Sequence, residues 1–248
     1  MSLAAFTLMA AASQAGASED WEFSLSPLFL WGLSIDGDAT INGNTAPLDL
    51  NFKDDILENM EAVFTFHFEA RKGDWTFFTE YQYVDLDPDV DVSVGPLSIN
   101  ADVGFKETTL EIGASWAMWE NERTRWELIG GGRYSDQEVD VDLQISGPLP
   151  PQLPSKNLEG GDDWWHGFGG VRVIHELSDN WTFIGRGDYG YGGSDNSAWN
   201  LAFMFDYRFR DWGSVFIGGR YLDYDYDKRS YGFQAAKAGP LAGITLHW

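Results

Sequence analysis

The feature that most constrains this chain is a repeat of alternating apolar and polar residues bounded by aromatic side chains. Four times a short polar turn is followed by a Trp and then by an alternating run that ends in a Tyr. The four runs are Trp75 to Tyr83, Trp126 to Tyr134, Trp181 to Tyr191, and Trp212 to Tyr221. A period of two residues predicts β-strands with one apolar face. Because a tilted strand crosses a bilayer in about 9–11 residues, each run has the length of a membrane-spanning strand.

Composition favours a membrane-spanning β protein over a soluble one. The chain has 12 Trp, 10 Tyr and 17 Phe among 248 residues, and such rings settle at the two membrane interfaces. No segment approaches the ~20 consecutive apolar residues that a spanning helix needs. The formal net charge of −23 excludes electrostatic binding of nucleic acid. Cysteine is absent, which excludes disulfides, thiolate metal sites and a Cys nucleophile.

Alternation along the rest of the chain predicts ten strands, and an even number places both chain ends on the periplasmic side of a closed barrel. Long breaks at 36–61, 88–102 and 143–163 predict extracellular loops, whereas the short breaks predict periplasmic turns. We expect strands near 21–33, 62–71, 75–87, 103–118, 126–142, 164–176, 181–191, 199–209, 214–227 and 233–248. In the first strand we expect one shared face for Trp21, Phe23, Leu25, Phe29, Trp31 and Leu33.

The two chain ends add a family resemblance. Residues 1–17 look like a secretory signal peptide, with a short apolar stretch from Leu3 to Ala12 followed by a small-x-small cleavage pattern. The last residues alternate and close on an aromatic side chain, Trp248. Together with the strand repeat, these features resemble the bacterial outer-membrane β-barrel proteins. The resemblance implies an all-β transmembrane antiparallel up-and-down barrel of about ten strands, with eight or twelve as alternatives. It also implies a single domain over residues 18–248, located in the outer membrane of a Gram-negative envelope.

Side chains at every second position of a strand point to the same face, and this parity selects those that we expect inside the barrel. Acids and bases nearly balance there, and an unpaired buried charge costs several kcal/mol, so we expect them to form ion pairs. Arg is used more than Lys, which suits the forked bonding of a guanidinium to a carboxylate. A solute path lined by the same charges is the alternative. The residues expected to line the lumen are His67, Glu69, Arg71, Glu80, Glu107, Glu111, Glu127, Arg133, Arg172, Arg186, Asp188, Asp206, Arg208, Arg220 and Lys237.

Three rows of acidic residues follow the upper Tyr residues at every second position, on the face that we expect to point outward. Their spacing of two residues predicts an acidic collar just above the membrane, at the height of lipopolysaccharide phosphates. A solvated collar is one interpretation, and bridging to lipid through Ca²⁺ or Mg²⁺ is the other, because carboxylate oxygens suit these ions. No metal site is firmly predicted, and no other cofactor is expected. The collar residues are Asp85, Asp87, Asp136, Glu138, Asp140, Asp142, Asp223, Asp225 and Asp227.

The residue pattern gives little support for catalysis, and we expect that the protein is not an enzyme. A barrel protease of the omptin type needs a His-Asp pair and an Asp pair at its mouth, and no His-Asp dipeptide occurs here. Of the four histidines, His166 is near the predicted mouth, but no Ser stands beside it as a nucleophile. No phosphate loop or helical zinc motif occurs either.

Two functions remain open. The first is a narrow porin-like channel that passes small solutes through a charge-paired lumen. The alternative is a structural or adhesive barrel that contacts lipopolysaccharide or an external partner through its acidic collar and loops. Ten strands lie between 8-stranded barrels, which side chains fill, and 16-stranded porins, which have open channels. Transport is common among outer-membrane barrels, which favours the channel by analogy of fold alone. Outer-membrane lipids are the expected partners in both cases, and the sequence does not predict an oligomeric state.

Overall fold

The computed structural model describes residues 20–50, 60–86, 89–94, 97–146, 156–228 and 230–248. Within these ranges the fold is all-β, and no helix there is long and apolar enough to cross a membrane. The predicted signal peptide, residues 1–17, lies outside the described residues. The strands are β1 (Glu22–Ser26), β2 (Phe29–Trp31), β3 (Ser34–Ile41), β4 (Asn44–Leu50), β5 (Met60–Lys72), β6 (Trp75–Leu86), β7 (Asp89–Val94), β8 (Leu97–Glu120), β9 (Thr124–Ser146), β10 (Lys156–Glu176), β11 (Trp181–Tyr191), β12 (Asn196–Arg210), β13 (Gly213–Lys228) and β14 (Tyr231–His247).

The strands form a closed antiparallel barrel. β1, β2 and β3 follow one another along β14 and together make the first wall strand. The other nine wall strands are β5, β6 and β8 to β14, each paired with its neighbours in chain order, and β1 closes the wall by pairing with both β5 and β14. β4 and β7 are hairpin partners of β3 and β8. This arrangement confirms the predicted up-and-down barrel of ten strands.

Alternation along each wall strand separates a lipid face from a lumen face. On β12 the side chains of Trp199, Leu201 and Phe203 are exposed on the outside, whereas Asn200 between them is buried. Apolar side chains on the outside of a membrane barrel contact lipid, and polar side chains point into the lumen. The same pattern holds around the wall, so inward parity selects the residues that fill the barrel.

Where the structure describes the predicted extracellular loops, they are largely strands. β3 and β4 occupy most of the stretch 36–50, β7 and β8 occupy most of 88–102, and β9 and β10 continue to Ser146 and from Lys156. The loop prediction was wrong because it took the many polar residues in these stretches as a sign of irregular structure. An antiparallel strand beyond the membrane tolerates polar side chains on its solvent face, so polarity alone does not mark a loop.

Above the membrane, on the side away from the chain ends, the wall divides into two sheets. β7 to β10 form one sheet, and β13, β14, β3 and β4 form the other. The division follows from strand length, because β11 ends at Tyr191 and β10 pairs with β9 alone above Gly167. Side chains from both sheets meet in one hydrophobic cluster that includes Ile35, Phe105 and Tyr224. The extracellular end is therefore closed by sheet packing, as in a β-sandwich.

A bulge near Pro27 reverses the faces of the first wall strand. Leu25 lies opposite Leu246 and Phe29 lies opposite Gly243, so four steps on one strand match three on the other. Proline has no N–H for the ladder and is found in strands mainly at edges and bulges. One extra residue turns every later side chain to the opposite face.

The prediction that the first strand keeps a single apolar face was therefore wrong beyond Pro27. Phe29 is 4% exposed and Leu30 is 55% exposed, so the lipid face passes from odd to even positions. Trp31 and Leu33 follow Phe29 and pack in the interior clusters.

Thr65 replaces the backbone ladder where the first wall strand separates from β5. Its hydroxyl accepts a hydrogen bond from the Phe29 N–H at 2.9 Å and donates one to the Phe29 carbonyl oxygen. Above the pair Ser26–His67, no ladder pair joins β5 to β2, β3 or β4 within the described ranges. One side chain thus satisfies both backbone groups at the end of the seam.

We expect Thr65→Val to destabilise the barrel by about 1–3 kcal/mol, because it leaves a buried N–H and a buried carbonyl without partners. Urea unfolding of protein refolded into lipid vesicles measures this free energy. Thr108→Val, at an outward-facing position of β8, is the control. Equal stability of the two variants would contradict a structural role for the Thr65 hydroxyl.

Candidate functional site

A ring of alternating charges lies at the centre of the lumen. The Arg133 Nε donates to Glu111 Oε2 at 2.6 Å, and its Nη2 donates to Asp188 Oδ1 at 3.0 Å. From the other side, the Arg186 Nε donates to Asp188 Oδ2 at 2.7 Å and its Nη1 to Glu111 Oε1 at 2.9 Å. Both guanidinium carbons lie 5.2 Å from the ring centre of Phe168. Side chains of β8, β9, β10 and β11 therefore meet inside the barrel and leave little space between them.

A second cluster of charges lies nearer the periplasmic end. The Arg172 Nε donates to Glu127 Oε2 at 2.7 Å, and its Nη1 forms an ion pair with Glu69. His67 lies between two carboxylates, 3.0 Å from Glu69 and 3.1 Å from Glu80. The imidazole thus joins β5 to β6, and the guanidinium joins β5, β9 and β10.

Arg220 links the two clusters across the lumen. Its Nη1 donates to Glu80 Oε1 at 2.6 Å, and its Nε donates to the Asn200 amide oxygen at 2.9 Å. The Asn200 amide nitrogen donates in turn to Asp188 Oδ2 at 2.6 Å. The bonds run from β6 through β13 and β12 to β11, so one connected network spans the barrel.

Lys237 forms a further charge pair above the network, below the hydrophobic cluster of the two sheets. Its ammonium forms a buried ion pair with Glu107 and lies 5.0 Å from the ring centres of Tyr224 and Phe233. Gln137 donates to the same Glu107 oxygen at 2.8 Å and connects the pair to β9. An aromatic layer therefore lies directly above the last charge pair.

The structure brings most of the sequence-predicted lumen residues together. Six carboxylates form ion pairs with five Lys or Arg side chains and with His67, so acids and bases nearly balance. The predicted residues in these pairs are His67, Glu69, Glu80, Glu107, Glu111, Glu127, Arg133, Arg172, Arg186, Asp188, Arg220 and Lys237.

Three predicted lumen residues lie toward the periplasmic end and outside this network. Arg71 bonds to Glu22, and both side chains are largely exposed. Asp206 is half-buried, and Arg208 is exposed with no ion-pair partner among the residues that the structure describes. They lie where the lumen opens to the periplasm, so they are hydrated rather than paired in the interior.

Arg125 is a network residue that the sequence reasoning missed. It lies 2.7 Å from Glu127 and 2.6 Å from Glu120. The sequence pattern placed Arg125 in a turn, although it has the same parity as Glu127 two positions later. That parity was the available signal. Extending β9 by two residues would have put the side chain inside.

The acidic rows lie on the outer face of the strands. Along β9 the inward Arg133, Ser135 and Gln137 are buried, whereas Glu138 and Asp140, which follow them on the outward face, are exposed. Asp85, Asp136 and Asp223 are half-buried, and Asp225 and Asp227 are exposed. The side chains of Asp87 and Asp142 lie outside the described part of the structure.

Four further acids extend the collar. Asp163 lies opposite Asp136, and Glu159 lies opposite Asp140, on the neighbouring strand β10. Asp36 and Asp38 are exposed on β3, beside the upper part of β14. Parity could not predict the two β3 acids, because the bulge at Pro27 reverses the faces before them.

Two hollows open between the collar acids. One of about 540 Å³ is lined by acids of β9 and β10, among them Glu138 and Glu159. The other, about 410 Å³, is lined by Asp223, Asp225 and the ring of Trp199. In the part of the chain that is described, no group of three or more His, Asp or Glu is placed to hold a metal ion.

The geometry can be compared with known proteins. A family model described as "Protein of unknown function, DUF481" matches residues 105–233, more than half of the chain. The chain belongs to the DUF481 family. The matched segment contains β9 to β13 and most of β8, and thus the central ring of charges. A search of curated proteins found no match.

Solved structures similar to this DUF481 protein are bacterial outer-membrane barrels. The outer-membrane protease OmpT of Escherichia coli matches with a TM-score of 0.55 and 9% identity, over 92% of this chain and 96% of that one. Ail of Yersinia pestis matches with a TM-score of 0.34 and 9% identity, over 92% and 97%. The toluene transporter TodX of P. putida matches with a TM-score of 0.33 and 10% identity, over 92% and 89%. At such identities the likeness to OmpT shows the fold of an outer-membrane barrel and nothing of its activity.

We expect Arg133→Met to destabilise the barrel by about 3–5 kcal/mol, because the two buried carboxylates of Glu111 and Asp188 then share the guanidinium of Arg186. Arg208→Met removes the same group from the periplasmic end, where it is exposed, and should change stability by less than about 0.5 kcal/mol. Urea unfolding in lipid vesicles compares the two. If both variants lose the same stability, the central ring does not hold the barrel together.

Proposed function

We propose that this barrel is closed and works at its outer surface, as a structural or adhesive protein whose acidic collar contacts lipopolysaccharide through divalent cations. The observation that carries the proposal is the partition of charge. Acids and bases pair inside the lumen, and much of the excess acidity lies on the outside above the aromatic belt. A strong field of one sign on an outer surface favours contacts with oppositely charged partners.

The packing of the lumen supports a closed barrel. The side chains of Arg133, Glu127 and Phe233 have no exposed surface, and Tyr224 and Lys237 are 1% exposed. These residues belong to the central ring, the periplasmic cluster and the aromatic layer. Any solute would have to displace all three, including ion pairs whose separation leaves buried charges.

The chemistry of the collar supports cation-mediated contact with lipid. Carboxylate oxygens are ligands for Ca²⁺ and Mg²⁺, and phosphate oxygens are suitable partners for the remaining positions. The collar side chains would otherwise repel the anionic headgroups at the same height. A divalent ion shared between Glu138 or Asp140 and a lipid phosphate would replace this repulsion with attraction.

We expect Ca²⁺ to raise the thermal stability of the protein in vesicles that contain lipopolysaccharide, and to do so much less in vesicles of zwitterionic lipid alone. The triple variant Asp136→Asn, Glu138→Gln, Asp140→Asn should lose most of this gain, since it removes three carboxylates beside the larger hollow. Melting temperatures from circular dichroism, with and without Ca²⁺, measure the effect.

A matched control removes three negative charges from the periplasmic turns: Glu122→Gln, Asp179→Asn and Asp211→Asn. It should keep the Ca²⁺ response, because it leaves the collar intact. An equal loss in both triple variants would show a response to net charge alone, and an unchanged response in the collar variant would contradict the collar function.

A narrow porin-like channel is the second candidate. One observation favours it: the side chains of His67, Glu69 and Glu80 are 25%, 23% and 14% exposed, although they point into the barrel. Water can therefore reach the periplasmic cluster of charges. Conduction would require the central ring and the aromatic layer above it to move.

We expect little or no steady conductance from the native protein in planar bilayers. Arg220→Ala should open a small cation-selective path, because Glu80 then loses its only guanidinium partner among the described residues and the space of that guanidinium is vacated. Arg208→Ala, at the periplasmic end, should stay closed. A large native conductance would contradict the closed barrel, and no conductance in any form would argue against the channel.

Neither candidate involves catalysis. The absence of enzymatic activity remains a prediction from the residue pattern, and the likeness to a protease extends to the fold alone.

A further inference from the structure

A gap in the extracellular wall is closed by one pair of aromatic rings. Above Gly167, β10 has no partner on the β11 side within the described ranges, because β11 turns into β12 after Tyr191. Over this turn, Trp164 of β10 stacks on Tyr226 of β13 with ring centres 4.1 Å apart and planes 16° apart. The contact joins the two sheets across the short hairpin.

A hydrogen bond at the rim holds the stack. The Tyr226 hydroxyl donates to Asp162 Oδ2 at 2.6 Å. Burial and this bond to a carboxylate raise the pKa of Tyr226, so the hydroxyl stays protonated and can donate. We call the stack and its bond, formed by Asp162, Trp164 and Tyr226, the aromatic latch.

Three buried polar atoms around the latch have no hydrogen-bond partner. They are the Trp164 Nε1, the His166 Nδ1 and the Asn196 Oδ1, and all three residues are at least 95% buried. Trp164 contacts both Tyr224 and Tyr226, and His166 lies edge-on to Tyr224. Asn196 is the ladder partner of Tyr226 and donates to the carbonyl oxygen of Trp165, between Trp164 and His166. Unsatisfied groups of this kind are uncommon, and each one costs about 1–3 kcal/mol in a folded protein.

The hydrogen-bonding character of the three atoms is determined. The Arg133 guanidinium can only donate, and its Nη1 lies 3.2 Å from the His166 Nε2. The His166 Nε2 must therefore accept, so the proton is on Nδ1. The indole nitrogen of Trp164 is also a donor, whereas the Asn196 Oδ1 is an acceptor. The latch region thus has two donors and one acceptor without partners. Opening the latch would also release the Asp162 carboxylate from the Tyr226 hydroxyl.

We propose that the aromatic latch is a binding site for a neutral, hydroxyl-rich ring, of the hexopyranose class, which enters when Tyr226 swings away from Trp164. In the closed state the Tyr226 ring lies where the ligand ring would stack. A hydroxyl group both donates and accepts, so a polyol can satisfy all three free atoms. The proposal goes beyond the collar function and does not depend on it.

The same groups disfavour charged ligands. A cation would pair with Asp162 but would face two N–H donors that it cannot satisfy. An anion would accept from those donors but would meet Asp162, Asp163 and Asp225 nearby. Like charges at close range cost free energy that one hydrogen bond does not offset. A neutral ligand that carries several hydroxyl groups avoids both penalties.

The test uses the full chain in a detergent without sugar headgroups, titrated with maltotriose by calorimetry. Tyr226→Ala removes the internal competitor. It should lower the Kd about tenfold if the closed latch is about ten times more populated than the open one. Tyr226→Phe keeps the ring and loses only the bond to Asp162, so it should give a smaller gain. Tyr226→Phe is the variant to use if Tyr226→Ala does not fold. Heat-dependent gel mobility shows whether each variant is folded.

The matched control compares two neighbouring tryptophans in the Tyr226→Ala background. Trp164→Ala removes the stacking surface and one donor and should abolish binding, whereas Trp165→Ala, on the outer face, should leave it unchanged. The proposal is overturned if neither Tyr226 variant binds more tightly than the native chain, or if the two Trp changes have equal effects. It is also overturned if Ca²⁺ competes with maltotriose for the site.

A second arm identifies the source of the sugar. If purified lipopolysaccharide displaces maltotriose, the sugar belongs to the outer-membrane lipid. If only free saccharides compete, the ligand is a soluble one. The collar substitutions at Asp136, Glu138 and Asp140 leave the latch intact, so loss of the Ca²⁺ response and loss of saccharide binding are separate results.

Discussion

A charge inside a narrow barrel must be paired, because removing it from water costs several kcal/mol that only a close partner offsets. The rest of the structure depends on this constraint. Arg133 and Arg186 meet Glu111 and Asp188 from facing strands, so the pairs fill the lumen as they satisfy one another. Carboxylates beyond those needed for pairing have no place inside. They lie on the outer face above the membrane, where water and cations reach them.

The division of the wall above the membrane completes the closure. Long strands on two sides rise beyond the short β11–β12 hairpin, and their inner faces pack together over the network. Side chains take over where the backbone ladder stops. Thr65 bonds the backbone of Phe29 on one side, and Asn196 donates to the Trp165 carbonyl oxygen at 3.1 Å on the other. The seam near Trp165 also borders the aromatic latch, so it is the seam at which we propose a binding site.

The architecture could be predicted from the repeat that begins at Trp75, because a membrane strand must alternate and its length is set by the bilayer. The partners inside could not, since they depend on strand stagger, which alternation does not give. An assignment of faces by odd and even positions also fails at every residue after an unrecognised bulge. One extra residue at Pro27 turned Phe29 inward and Asp36 outward, and alternation alone does not reveal an inserted residue. Arg125 was missed for another reason, because its strand was predicted to begin two residues too late.

The sealed lumen is tested most directly by the reactivity of single cysteines, since the native chain has none. Ala235→Cys lies in the aromatic layer. Ala202→Cys lies on the inward face of β12, opposite Arg186 and Arg220 on the neighbouring strands, and is only partly buried. In vesicles of defined orientation, we expect a membrane-impermeant thiol reagent to label position 202 from the periplasmic side and position 235 from neither side. Rapid labelling of position 235 from outside, or of position 202 through the extracellular mouth, would contradict a closed barrel.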